Sequence, residues 1–263
     1  MRILGGVPTR KRSTGGRVAD WLAKVCDEVL VISQGADVTF SSSNVIMVER
    51  DTDIGMMAAR NEIFDYGIKK GFDVIVQSDD DLAFQPIVLN FLVSQIEEFP
   101  WIGSISSCPR VYMNWEKDLV TSHGFTVFQC PTQLWAVRAQ AIKESGTLRI
   151  DVLEDIELGL RMWQNGWVLT RAHGFKNIFH NPVVSRIGKG DDSGGQPESL
   201  RKSLMPFSVD YIYEHHKNIL SMFSISTDPR RTYMARYNWR EMCKLAHDRW
   251  GDIGYSDSKG RII

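Results

Sequence analysis

Three consecutive carboxylates, Asp79, Asp80 and Asp81, follow the apolar run VIVQS that ends at Ser78. Crowded together they repel one another, so positive charge is expected among them. Along an extended segment alternate side chains point the same way, which lets Asp79 and Asp81 address one ion while Asp80 points elsewhere. Hard carboxylate oxygens suit Mg2+ or Mn2+, and such ions are commonly held by one or two carboxylates plus substrate phosphates. That chemistry points to a nucleotide diphosphate; a solvated turn carrying three acids is the alternative. A second acidic pair, Glu154-Asp155, lies in RIDVLEDIELGLRMWQNGW. Asp151 there suits a helix N-cap, with Glu154 three residues later as in a capping box. Asp155, in the first turn, then faces the sheet, kept ionised by the helix dipole and suited to deprotonating an attacking hydroxyl. The plainer alternative is two acids that only stabilise a helix start. Glu157 and Arg161, spaced i,i+4, read as surface support.

These residues need elements to hold them. Strands are expected over 2–7, 28–33, 44–48 and 74–78, and helices over 16–25 and 55–71, the latter with Met56, Ala59 and Ile63 on one stripe. Lys69 and Lys70 fall in its last turn and Gly71 follows as a C-cap. VIVQS is apolar without alternation, as in a parallel strand covered on both faces. Strand and helix in this rhythm predict a three-layer α/β/α arrangement with a mainly parallel central sheet, whose ligands gather at the carboxyl ends of the strands. In the second half, strands are expected over 101–106, 124–130 and 133–139, and a helix over 151–166. The stretch RIGKGDDSGGQPES reads as a mobile loop, and the remainder from about residue 200 as helical, aromatic and locally basic.

The chain has 263 residues, 43% hydrophobic and 24% charged, with a net charge of -1. That composition is ordinary for a globular protein and argues against a generic nucleic-acid coat, though not against a local basic patch. Cys26, Cys108, Cys130 and Cys243 lie far apart, with no metal-type spacing and no disulfide framework. With no signal-peptide pattern and no long apolar span, the expected location is the cytoplasm, that of the host cell if the protein is of phage origin. The sequence does not specify an oligomeric state.

Four segments, in order, resemble those of glycosyltransferases with the GT-A fold, particularly the large family 2. VPTRKR at 7–12 is similar to a first-strand motif, GMMAARN at 55–61 to the helix before the metal strand, QSDDDL to the DxD motif, and EDIELGLRMWQNGW to the helix bearing the base. The resemblance covers about residues 1–185 and implies a GT-A catalytic domain there, with 186–263 as a mobile loop and helical acceptor-side extension packed on it. It implies a nucleotide-sugar donor, UDP-sugar by expectation, and Mn2+ or Mg2+ held by Asp79, Asp81 and a histidine, His180 before His173. Pro8, Thr9 and Arg10 would lie at the nucleotide, Asp79 and Asp80 would help hold the donor, and Arg60 would approach its phosphates. Asp155 would be the base for an inverting attack on the anomeric carbon. One departure concerns the base of the nucleotide: where the family's second strand ends in an acidic pair, this chain has Ser33 and Gln34, with Asp37 further on.

Lys189, within the loop 188–196, would reach the donor diphosphate if that loop is a lid; a surface loop without function is the alternative. At the C-terminal end, Arg230, Arg231, Arg236, Arg240 and Arg249 alternate with Tyr233, Tyr237, Trp239 and Trp250. Such interleaving suits a nucleic-acid strand, a sugar chain or a plain amphipathic helix. Together with the size of the chain it resembles the phage-type transferases that act on 5-hydroxymethylpyrimidine in DNA. A polysaccharide or small-molecule acceptor remains open. So does a sugar nucleotidyltransferase, since GGVPTRKR is faintly similar to its nucleotide loop, although the expected lysine context is absent.

Overall fold

Six of the eight residues of strand β1 (Ile3–Arg10) and all five of β4 (Val74–Ser78) are buried, as expected for strands covered on both faces. The computed structural model describes residues 1–107, 119–121, 126–127, 133–171, 185–186, 198–227 and 233–256. Helix α1 (Thr14–Leu22) leads from β1 to β2 (Glu28–Gln34), β3 (Val45–Arg50) follows, and α2 (Met56–Lys70) leads into β4. These four strands are parallel in the order β4-β1-β2-β3. The chain runs outward from β1 to β3 and returns to the other side of β1 with β4, which opens a crevice at the carboxyl ends of those two strands.

The second half adds β6 (Ile102–Ser107), β9 (Leu134–Arg138) and β10 (Val168–Arg171). Strand β9 lies antiparallel between β4 and β6, and β10 is parallel to β6. Short strands β7 (Leu119–Thr121), β8 (Thr126–Val127) and β14 (Tyr255–Ser256) complete one sheet, so that ten strands join it among the described residues. Helices α1 and α3 (Pro86–Glu98) touch across one face. On the other face α2, α4 (Ala139–Ser145), α5 (Glu154–Gln164) and α7 (Trp239–Trp250) contact one another in succession. This is the three-layer α/β arrangement that the strand–helix rhythm predicts.

Close packing of α2 on the sheet rests on two glycines. A Cβ on Gly6 would come 2.4 Å from Ile63 Cγ2, and one on Gly67 would come 2.7 Å from Ile75 Cδ1. A larger residue at either place would have to displace the Ile63 or Ile75 side chain. The helix ends as expected, with Gly71 in the left-handed region at φ 71° and Lys69 and Lys70 in the last turn.

Several expectations need correction. Helices α3 and α4 and strand β10 were not singled out by the periodicity. Only residues 126–127 of the strand expected at 124–130 are described, as β8. The C-terminal segment is not helical throughout: between α6 (Glu198–His215) and α7, strands β12 (Leu220–Ser224) and β13 (Met234–Tyr237) form an antiparallel pair. Most of the aromatic residues there pack inward. Trp239 meets Trp163 edge-on, Tyr233 stacks on Phe223, and Trp250 lies against Trp167. Arg249 sits over the rings of Trp167 and Trp250 and pairs with Glu144 at 2.6 Å. The amphipathic-helix alternative therefore describes α7, and Arg249 is committed to packing.

Glu157 and Arg161 are not surface support. Both are buried, Glu157 completely. Arg161 donates to both carboxylate oxygens, at 2.8 and 2.7 Å, and to the carbonyls of Ser145 and Thr147. From the end of α6, His216 brings Nε2 to 3.6 Å from the same carboxylate. The i,i+4 spacing does pair the two side chains, but the segment at the end of α6 that covers them lies more than fifty residues away. Burial alone would raise the Glu157 pKa; His216 and Arg161 outweigh it and hold the carboxyl below its usual value. A lowered carboxyl pKa contributes stability above the unfolded value and loses it as pH falls through the folded one. Arg161→Ala is expected to cost about 3–5 kcal/mol at pH 7 by stranding a buried charge, a fall in Tm of about 5–10 °C. The gap between wild type and variant should narrow below about pH 4, and a gap that widens there would show that the carboxylate is not what Arg161 serves.

Candidate active site

The carboxyl ends of β1 and β4 meet through a side-chain bond. Thr9 donates its hydroxyl to Asp80 Oδ2 at 2.8 Å, and the Arg10 amide approaches the same oxygen at 3.4 Å. Asp80 is 4% exposed, and Arg12 donates to its other oxygen at 2.9 Å. The same Arg12 nitrogen lies 3.0 Å from Asp81 Oδ2. Asp79 turns the other way, to Arg60 at 2.7 Å. The positive charge expected among the three acids is thus supplied by two arginines, one from the β1–α1 loop and one from α2. Burial pushes the Asp80 carboxyl up, opposed by its bonds to Thr9 and Arg12.

Arg60 is 3% exposed, and its Nε and Nη1 are buried without a hydrogen-bond partner. Such orphan donors are uncommon in a native fold, and an anion is a partner that would satisfy them. Arg60 also acts electrostatically on Glu154 and Asp155, as does Arg201 of α6. Burial raises the pKa of both acids; for Glu154 the charge of Asp155 adds to the rise, and the two arginines oppose it. Two neighbouring half-buried carboxylates cannot easily both ionise, so the pair holds a proton more readily than isolated acids would.

The start of α5 differs from the capping box. Asp151 is exposed, and Leu153 stands at the N-cap position with φ 63° and no side-chain cap. Burying Val152 and Leu153 prevails over a polar cap, and Asp155 instead accepts from the Ile156 amide at 2.9 Å. Glu154 is therefore not occupied in capping and stands beside Asp155 in the site. Lys11, between Arg10 and Arg12, has φ 55°. Among the described residues these two are the non-glycine positions with positive φ, and both adjoin the charged groups of the site.

Of the site residues expected from sequence, Pro8, Thr9, Arg10, Arg60, Asp79, Asp80 and Asp81 gather at the β1 and β4 ends, with Asp155 close enough to Arg60 to feel its charge. Arg10 pairs with Asp53 in the loop before α2. Gln34, which with Ser33 departs from the resembled pattern at the end of the second strand, is buried and accepts from the Ile54 amide at 2.9 Å. His180, His173 and Lys189 lie outside the described residues. Arg12, Arg201 and Glu154 were not expected as site residues. For Arg12 the signal was present in the basic run RKR after the first strand.

A divalent ion would find hard oxygen donors here but no finished cage. Among the described residues no three His, Cys, Asp or Glu side chains converge on one point. Asp80 is buried and engaged by Thr9 and Arg12, whereas the Asp79 and Asp81 side chains keep 22% and 12% exposure. Two guanidinium groups meet three carboxylates among the described residues. Donor chemistry and charge therefore fit an ion whose shell is completed by substrate oxygens.

No protein-family model and no curated protein matches the sequence. Among solved structures, the mannosyltransferase PcManGT of Pyrobaculum calidifontis, in complex with GDP-Man and Mn2+, aligns with a TM-score of 0.51 at 14% identity, over 81% of this chain and 62% of that one. The chain has the GT-A fold. S. aureus TarS, residues 1–349, gives a TM-score of 0.47 at 11% identity, over 81% of this chain and 72% of that one. This chain thus spans less than two thirds of the mannosyltransferase. No helix among the described residues is long and apolar enough to cross a membrane.

Thr9→Val removes the hydroxyl that links the two strand ends at Asp80. It is expected to lower the unfolding free energy by about 1–3 kcal/mol, read by urea titration at pH 7. An unchanged midpoint would show that Asp80 is held without the hydroxyl.

Proposed function

We propose that this chain is a glycosyltransferase that moves a sugar from a nucleotide-sugar donor to an acceptor hydroxyl. The observation that carries the reading is the junction of β1 and β4, where Thr9 binds Asp80 and Arg60, paired with Asp79, keeps two buried donors without a hydrogen-bond partner. An anionic diphosphate is what such donors lack. The four sequence motifs and the GT-A fold support the same reading. Asp81, joined by Asp79 once Asp79 turns from Arg60, would hold a divalent ion, Mn2+ or Mg2+. Bound there, it would supply positive charge to the departing diphosphate.

The chain's own residues account for the rest. Pro8, Thr9 and Arg10 line the side of the crevice where the nucleoside lies, and Asp80 helps hold the donor. Asp155 takes the proton from the acceptor hydroxyl. The oxygen attacks the anomeric carbon from the side opposite the diphosphate, the carbon–oxygen bond to phosphate breaks, and the configuration inverts. Glu154 keeps the base in a shared-proton pair, so turnover should fall on acidification near the raised titration of that pair, about 7 for Glu154. His180 and Lys189 belong to the proposal as a third metal ligand and a lid contact. UDP is the expected nucleotide, although Gln34 is no acid.

The acceptor is proposed as a hydroxyl compound, with 5-hydroxymethylpyrimidine DNA as the case that the basic tail suggests. The inward packing of Trp239, Trp250 and Arg249 lends no support to base stacking there, and Arg236 and Arg240 remain exposed for phosphate contacts.

Calorimetry with UDP, and GDP as control, with and without Mn2+, tests the donor site. Binding that depends on Mn2+ and disappears in Asp81→Asn is expected; failure of both nucleotides to bind the folded protein would overturn the reading. Asp155→Asn should bind the nucleotide normally yet lose about 10²–10⁴-fold in turnover, once UDP-sugars are screened against hydroxymethylated DNA and sugar acceptors. A turnover unchanged in Asp155→Asn would remove that residue from the base role.

A further inference from the structure

The two arginines at the carboxylate cluster are held very differently. Arg60 is buried in α2 and bonded to Asp79. Arg12 stands in the β1–α1 loop, next to Lys11 in the left-handed region, with its side chain 20% exposed. Its guanidinium bridges Asp80 at 2.9 Å and Asp81 at 3.0 Å through one nitrogen. Asp80 has a further anchor in the Thr9 hydroxyl, so it stays bonded if Arg12 moves. The Asp81 carboxylate is the candidate metal ligand that Arg12 covers. A guanidinium and a divalent ion on the same carboxylate edge would repel each other strongly. One must leave as the other arrives.

We propose that Arg12 is the resident counter-cation of the donor site: it holds Asp81 in the empty protein, yields that carboxylate to the divalent ion, and turns to the donor diphosphate that arrives with it. This rests on the donor-site reading above. Exchange keeps the cluster neutralised in both states. It also couples metal and nucleotide, since the ion alone must part Arg12 from Asp81 and leave it one carboxylate, Asp80, in place of two. The nucleotide supplies the second anion, so each ligand strengthens the other. Arg12 is thereby a positioning residue for the metal and a binding residue for the diphosphate, a role distinct from that of the fixed Arg60.

The test is titration of Mn2+ alone, of UDP alone and of Mn2+ in the presence of UDP, with GDP as a control, on wild type, Arg12→Gln and Arg12→Lys, each checked for folding by circular dichroism. In wild type, UDP should tighten Mn2+ binding at least about tenfold. Arg12→Gln should bind Mn2+ alone at least about tenfold more tightly than wild type, and bind UDP with saturating Mn2+ about tenfold more weakly. Arg12→Lys keeps the charge and should stay close to wild type for Mn2+ alone. Equal Mn2+ affinity in wild type and Arg12→Gln, with Mn2+–UDP binding intact, would overturn the inference and leave the donor site standing. Tight binding of Mn2+ alone to wild type would overturn it even if Arg12→Gln did not fold. UDP binding to wild type that is indifferent to chelator would also overturn it. If wild type binds neither nucleotide under any condition, the donor reading falls first and the inference with it.

Discussion

Three adjacent carboxylates at the end of a central strand cannot be buried without positive charge beside them, and much of the architecture around the crevice serves that requirement. Arg12 reaches the cluster because β1 and β4 are direct neighbours in parallel register, with Gly6 opposite Gln77. Arg60 reaches it from α2, which packs on the sheet through Gly6 of β1 and its own Gly67. The Thr9–Asp80 bond then locks the two strand ends together. A sheet whose strands were ordered otherwise would leave the acids either solvated or unpaired. The same electrostatics extends across the crevice to α5, where Arg60 and Arg201 temper a pair of acids that burial pushes toward the protonated form.

The side of the molecule that carries α5 is held from behind. Glu157 and Arg161 face away from the crevice and bind the end of α4 and the end of α6. Arg249, between two tryptophans, ties the end of α7 to Glu144. The first arrangement is buried and the second exposed, and both draw on partners distant in the chain. They hold the helix bearing Glu154 and Asp155 against rotation, while Leu153, in its left-handed conformation, sets where that helix starts.

What could be read from the residues was local. The apolar run before Asp79 and the stripe and C-cap of α2 are set by neighbours within a few positions, and each stands where the spacing put it. What was missed depends on partners far apart. A Glu157–Arg161 pair looks the same on a surface as in a core until His216 covers it. The choice of Leu153 over Asp151 at the N-cap position follows from burial of two apolar side chains, which capping rules do not weigh. The expectation that Asp79 and Asp81 share a direction relied on an extended chain, and the chain turns there, so that Arg60 and Arg12 divide the acids between them. In the tail, basic and aromatic residues could be listed but not assigned to inside or outside, and most of the aromatics proved to pack inward.

Strand β9 has a bearing on how the molecule is made. It is inserted antiparallel between β4 and β6, although it follows both in the chain, and the Asp79 amide donates to the carbonyl of Gln133 at its leading end. During synthesis β4 is therefore an open edge of apolar backbone until Leu134–Arg138 has emerged. The parallel unit of β1 to β4 can collapse early, but the backbone at the first acid is fixed only when this later strand closes the seam. The crevice is thus assembled late, and a nascent chain that stops short of β9 exposes a template for pairing with its neighbours rather than a place to bind a nucleotide.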